Sequence, residues 1–308
     1  MPSDVVILTL LRAQLALSLG LIASMALRAL ARRLIGPVLA YRLWAIGPTA
    51  ALTSLFPTLA EFLRNGRLTP AQGASGLLAM SLRAVSDDGV WTAPAHILLG
   101  GWLAGAAALS AIFIAGELRF RRLARFGLAG PAVVGVAAPR LVVPADFAER
   151  FTLEERGFIR RHERAHMQRQ DTLAKLGVAV LQTLSWFNPL VHLAAALARL
   201  DQELACDAQV VDGRPSDRRP YAEVLMKVQL QRRSTGLACT WAPRGRHPLE
   251  VRLATLGQAE PSLRRHVCGA VGVVALAVLA SIAVWSLAPR NGADVIAGDH
   301  IFAAPLSH

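Results

Sequence analysis

Long apolar runs constrain this chain more than any other feature. A bilayer span needs about 20 predominantly apolar residues, and four stretches qualify. They are Val5 to Leu27, interrupted by Arg12 and Gln14; Val38 to Ala60, which holds Arg42, Pro48 and Pro57; Ala95 to Ala115, with no charged residue; and Val267 to Ala288, also uncharged. A soluble domain that is 54% hydrophobic would space those residues at helical or strand periods instead of in unbroken blocks. The first run has no Lys or Arg ahead of it, so it lacks the basic start of a cleaved signal peptide and reads as a retained span.

Arginine placement sets the expected orientation, because cytoplasmic loops collect Lys and Arg. Arg28, Arg32, Arg33 and Arg42 follow the first run, Arg119, Arg121, Arg122 and Arg125 follow the third, and Arg264 and Arg265 precede the fourth. All three clusters fall on one side if the N-terminus is outside. The layout then has a membrane region with three transmembrane helices (1–116), a cytoplasmic domain (117–266), a fourth transmembrane helix (267–288) and a short extracytoplasmic tail (289–308). The net charge of +12 is explained by these membrane-edge clusters. No recognition-helix motif accompanies it, so direct nucleic-acid binding is not expected. Cys206, Cys239 and Cys268 have neither disulfide-framework nor CxxC spacing.

Within 117–266, two short β-branched runs, 132–136 and 139–144, are bounded by Gly and Pro and predict a hairpin. Thr152 and Glu155 match a capping box and predict a helix start. That helix carries Phe158, Ile159, His162, Ala165 and His166 at three- and four-residue spacing, so one face is buried and holds both histidines. Asp171 closes this helix or caps the next. Residues 172–200 are long and apolar, but Lys175, Gln182 and the Asn188-Pro189 break argue for a helix pair packed on the first and dipping toward the membrane interface, against a fifth span. A further helix over 194–210 carries Glu203 and Asp207. The last cytoplasmic helix begins at His247-Pro248.

His162-Glu163-Arg164-Ala165-His166 is an HExxH pattern. Histidines four apart on a helix project from one face, so both rings can reach a single Zn2+. Glu163 lies too far round to ligate well, and is placed to take a proton from the metal's water and pass it to a leaving amine. A catalytic zinc needs a third protein ligand. Glu203 can supply it, with Asp207 four residues on accepting the spare N–H of a ligand histidine. His192, in the apolar run after Pro189, is the rival third ligand.

The blocks Pro139–Pro144, His162–His166 with Asp171, Trp186–Val191 and Glu203–Ala208 together resemble the BlaR/MecR antirepressor metallopeptidases, in order and spacing over about residues 130–212. The resemblance implies a mainly α, multi-pass transmembrane chain with an inserted cytoplasmic gluzincin-like α+β zinc-peptidase domain. It implies His162, His166 and Glu203 as Zn2+ ligands, Glu163 as the base, and Asp207 and Asp171 as supports of the ligand rings. It also implies regulated cleavage, in the bacterial inner (plasma) membrane, of a cytoplasmic winged-helix repressor or of the chain itself. About twenty residues follow Ala288 and hold no SxxK serine motif, so sensing of β-lactams by a penicillin-binding domain is not expected here. An outside signal would be met by the loop 61–94.

Two other readings fit parts of the pattern. One is a membrane transducer or adaptor that keeps the peptidase fold, against which the matching Glu203 argues. The other is a housekeeping membrane peptidase, which would need HExxH and an acidic ligand but neither the Pro139–Pro144 nor the Trp186–Val191 block.

Overall fold

A computed structural model of the chain describes residues 2–55, 93–231, 247–258 and 262–286. The tail 289–308 and all but the last two residues of the loop 61–94 lie outside these. The described residues are mostly helical. Helix α1 spans Pro2–Ile35, α2 Pro37–Arg42, α3 Ile46–Thr53 and α4 Ala93–Arg125. Among the described residues two helical stretches are long and apolar enough to cross a bilayer, Leu10–Ile35 and Ile97–Arg125; Val267–Ala283 is apolar but shorter.

The run expected as a second span is not one helix through its described part. Gly36 (φ 87°) breaks the chain after α1, and residues 37–53 fold as α2, a short 3-10 turn at Leu43–Ala45, and α3. Leu39, Ala40, Leu43 and Trp44 are buried in protein. Burial in protein therefore accounts for part of the apolar composition over this stretch.

After α4 come strands β1, Ala132–Val134, and β2, Arg140–Val142, paired antiparallel with Val133 opposite Leu141. They form the only sheet among the described residues. Helix α5 spans Phe147–Arg150, α6 Leu153–Gln168, α7 Asp171–Leu184, α8 Pro189–Val211, α9 Arg218–Gln231, α10 Pro248–Leu256 and α11 Leu263–Ser286. The chain divides into two compact units. One holds residues 2–20, 46–55 and 276–286; the other holds 21–45, 93–231, 247–258 and 262–275. The residues with metal-binding chemistry all lie in the second.

Each boundary near those residues has a local cause. Thr152 Oγ1 accepts from the Glu155 backbone N–H and Glu155 Oε2 accepts from the Thr152 N–H, so both halves of the capping box form. Gln170 takes a left-handed turn (φ 56°) that reverses the chain between α6 and α7. Asn188 Oδ1 accepts from the Leu190 N–H, and Pro189 opens α8, where its missing N–H costs nothing. The core beneath is Phe147, Phe151, Phe158, Ile159, Val210, Val211, Tyr221, Val224, Leu225 and Leu256, which locks α6, the end of α8, α9 and α10 together. At ~25 cal/mol per Å2 of apolar surface, each of these large side chains contributes roughly 1.5–3 kcal/mol.

Candidate metal centre

Burying Phe158 and Ile159 on α6 fixes the rotation of that helix, and with it the direction of the two histidines one turn further on. His162 Nε2 and His166 Nε2 end 3.2 Å apart. From α8, Glu203 brings Oε2 to 3.4 Å from His162 Nε2 and Oε1 to 3.6 Å from His166 Nε2. The three residues form one candidate metal-binding group. Two ligands on a tetrahedral zinc, each bonded at roughly 2.0–2.2 Å, are separated by about 3.3–3.6 Å. The observed separations are of that size, the two Glu203 distances being to different carboxylate oxygens.

The far sides of both rings are already engaged. His166 Nδ1 donates to Asp171 Oδ2 at 2.8 Å. His162 Nδ1 donates to Tyr221 Oη at 2.8 Å, and the Tyr221 hydroxyl donates in turn to Asp207 Oδ1 at 2.6 Å. With each Nδ1 carrying its proton, each Nε2 presents a lone pair inward. Two lone pairs and a carboxylate converging within 3.6 Å repel one another unless a cation sits among them. The donor set, two imidazoles and a carboxylate, is one that zinc accepts.

Burial would lower the His162 pKa, but the hydrogen bonds and charges of Asp207 and Glu203 outweigh it and raise it to about 9. Burial likewise opposes ionisation of Glu203, yet His162, Arg252 and His166 hold that carboxyl well below its usual range. Arg252, on α10, grips Asp207 with two bonds of 2.7 Å and reaches Glu203 Oε2 at 3.2 Å.

Glu163 follows His162 on α6 and is buried. His192 lies elsewhere: it accepts from Gln182 Nε2 at 3.0 Å and donates to the Trp186 carbonyl at 2.9 Å, within the α7–α8 turn. Of the two rivals for a third ligand, Glu203 is the one the fold brings to the histidines. A second candidate group, His166, Asp171 and Cys206, meets on the Nδ1 side of the same histidine. Burial, followed by the acidic neighbours, pushes the Cys206 thiol up despite Arg169, and the protonated sulfur donates to Asp171 at 3.5 Å. Cys206 thus buttresses Asp171 and does not compete for the inward-facing nitrogens.

Tyr221, Arg252 and Cys206 are absent from the sequence-based site. Tyr221 and Arg252 lie 59 and 90 positions after His162 and share no periodicity with it. Cys206 had a signal, since it lies three residues after Glu203 and so shares its side of α8.

Residues 122–256 match the family described as BlaR1 peptidase M56. The chain is 30% identical to the regulatory protein BlaR1 of Bacillus licheniformis over 129 residues, which is 39% of this chain and 21% of that one. It is 27% identical to the methicillin resistance mecR1 protein of Staphylococcus aureus over 81 residues, 26% of this chain and 14% of the other, and matches the mecR1 protein of Staphylococcus epidermidis equally. The aligned part thus spans about a fifth or less of the length of these relatives. No solved structure matches the chain.

Proposed function

We propose, on the premise that residues 122–256 belong to the BlaR1 peptidase M56 family, that this chain is a zinc endopeptidase of the bacterial plasma membrane with a gluzincin-like site. In this reading it is multi-pass, its N-terminus lies outside, residues 117–266 face the cytoplasm, and a signal controls cleavage of a cytoplasmic repressor or of the chain itself. The observation that carries the proposal is the convergence of His162 Nε2, His166 Nε2 and Glu203 within 3.6 Å, with Glu163 buried and next to His162 in sequence.

A zinc ion held by His162, His166 and Glu203 would polarise a peptide carbonyl and acidify a water molecule. Glu163 would take a proton from water at the site and return it to the leaving amide nitrogen. Asp171, and Tyr221 backed by Asp207, keep both imidazoles in the tautomer that offers Nε2. Arg252 holds Glu203 and Asp207 in register from α10.

The test compares wild type with Glu163→Gln in native membranes, following the chain itself and a winged-helix repressor expressed with it. Fragments that appear with wild type alone, with zinc retained in both, support the peptidase. Equal fragmentation in the two would remove Glu163 from the chemistry. Zinc bound in both with no cleavage under any stimulus would leave the adaptor reading in its place.

A further inference from the structure

The helical hairpin formed by α7 and α8 presents an apolar surface that no described part of the chain covers. Leu173, Leu176, Val180 and Leu184 share one face of α7, and each is between 45% and 51% exposed. Phe187 at the turn is 52% exposed and Leu193 on α8 is 41% exposed. From Leu176 to Ala198 the chain has no Asp, Glu, Lys or Arg. We propose that this hairpin is inserted tip-first into the cytoplasmic leaflet of the bilayer, its exposed face against lipid acyl chains, so that the metal cluster is held at headgroup level. The proposal rests on reading α4 as a membrane span.

Three observations point to lipid as the occupant. The first is where the tip is fastened. Trp102 Nε1 of α4 donates to the Leu184 carbonyl at 3.0 Å, and Trp186 Nε1 donates back to the Trp102 carbonyl at 3.1 Å. The Trp186 indole lies over Gly105, where any Cβ would fall 2.2 Å from the ring. Trp102 and Gly105 belong to the apolar stretch Ile97–Arg125 of α4. Glu117, its first charged residue, is fifteen positions after Trp102, or about 22 Å along the helix. A hairpin tip bound there lies well below the level of that charge.

The second is the state of the polar groups in the turn, which the bilayer would leave unsolvated. His192 donates to the Trp186 carbonyl and accepts from Gln182, and the Asn188 backbone N–H donates to the Ser185 carbonyl at 2.8 Å. The carbonyls of Leu184, Ser185 and Trp186 therefore all receive a donor in the one place where helical bonding stops.

The third is the matched position of the flanking charges. Lys175 stands nine residues before the end of α7 and Arg199 ten after the start of α8. At 1.5 Å per residue these lie about 14 and 15 Å from the tip, half of a hydrocarbon core of about 30 Å. Both side chains are exposed, as cations that snorkel to the headgroups are. Asp171 and Glu203 are one helical turn further out on each arm. A scissile bond would then be met at the membrane surface and not in open cytoplasm.

The experiment uses the full chain in lipid vesicles with Cys239→Ala and Cys268→Ala, leaving the buried Cys206. Nitroxide labels go on Val180→Cys, Phe187→Cys and Leu193→Cys, all at exposed positions, and on Ile112→Cys in α4. Accessibility to oxygen is compared with accessibility to a water-soluble nickel chelate. The expected result is oxygen-dominated relaxation at all four, deepest at Phe187 among the hairpin sites. Nickel access at the hairpin sites with Ile112 still oxygen-dominated would overturn the insertion while sparing the span. Shielding of the hairpin sites from both reagents would mean a second copy or another protein covers them, and would also overturn it. Nickel access at Ile112 would defeat the reading of α4 on which the proposal stands.

Discussion

Arg28 and Asp201 form a two-armed ion pair, 2.9 Å on each arm, across 173 positions of sequence. Asp201 is wholly buried and also accepts from Trp44 Nε1 at 2.8 Å, with Arg32 at 3.6 Å. Arg28 sits near the end of α1, and Asp201 precedes Glu203 by two residues on α8. The pair therefore ties the helix that carries the proposed third metal ligand to the helix that enters from the apolar N-terminal run.

Removing one partner of such a pair leaves a charge in a dry site. Arg28→Met should destabilise the domain by about 3 kcal/mol, the lower end of the range for a broken buried pair, because Trp44 and Arg32 remain. Asp201→Asn should cost less, since it keeps the Trp44 bond and the Arg28 cation it leaves unpaired is partly exposed, whereas Asp201 is not. Thermal unfolding in detergent micelles with zinc present would rank them. Asp201→Asn proving the more damaging would show that the charge itself holds α8 in place.

Tyr221 offers a cleaner cut. Its ring packs 5.7 Å from Phe158 in the core, while its hydroxyl bridges His162 and Asp207. Tyr221→Phe should keep the fold and lower zinc affinity by roughly 10- to 100-fold, as losses of such supporting bonds do. Competition with a chromophoric chelator measures this directly. Unchanged affinity would mean that the 3.4 Å approach of Asp207 to His162 suffices without the hydroxyl.

What the sequence made legible were features whose cause is local. The capping box at Thr152, the break at Asn188-Pro189 and the pairing of His162 with His166 each depend on residues within four positions of one another, and periodicity exposes them. Glu203 was legible because an acidic residue was required somewhere downstream and its neighbours suited a buried face. Tyr221 and Arg252 were not, because their relation to His162 and Asp207 is created by packing α9 and α10 onto α6 and α8. Arg28 was legible only as a mark of membrane sidedness; nothing near it in sequence announces a buried partner. The run from Val38 shows a related limit: hydropathy measures the wish to leave water and does not say whether lipid or protein satisfies it.

The pH dependence of zinc binding follows from the proton that takes the metal's place. In the zinc-free chain the His162 pKa is raised from the ordinary 6.5 to about 9. A raised pKa means that the folded chain holds this proton more tightly than the unfolded one does. The resulting stabilisation is complete below pH 6.5 and is lost as pH rises through about 9. Zinc must displace the same proton, so its apparent affinity should run the other way. The dissociation constant should fall about tenfold for each pH unit between 7 and 8 and level off above about 9. Near neutrality each zinc bound should release close to one proton, which calorimetry in buffers of different ionisation enthalpy would count. A flat affinity between pH 7 and 8.5 would mean that His162 is already neutral in the zinc-free chain, and that Asp207 and Glu203 do not act on it as their geometry requires.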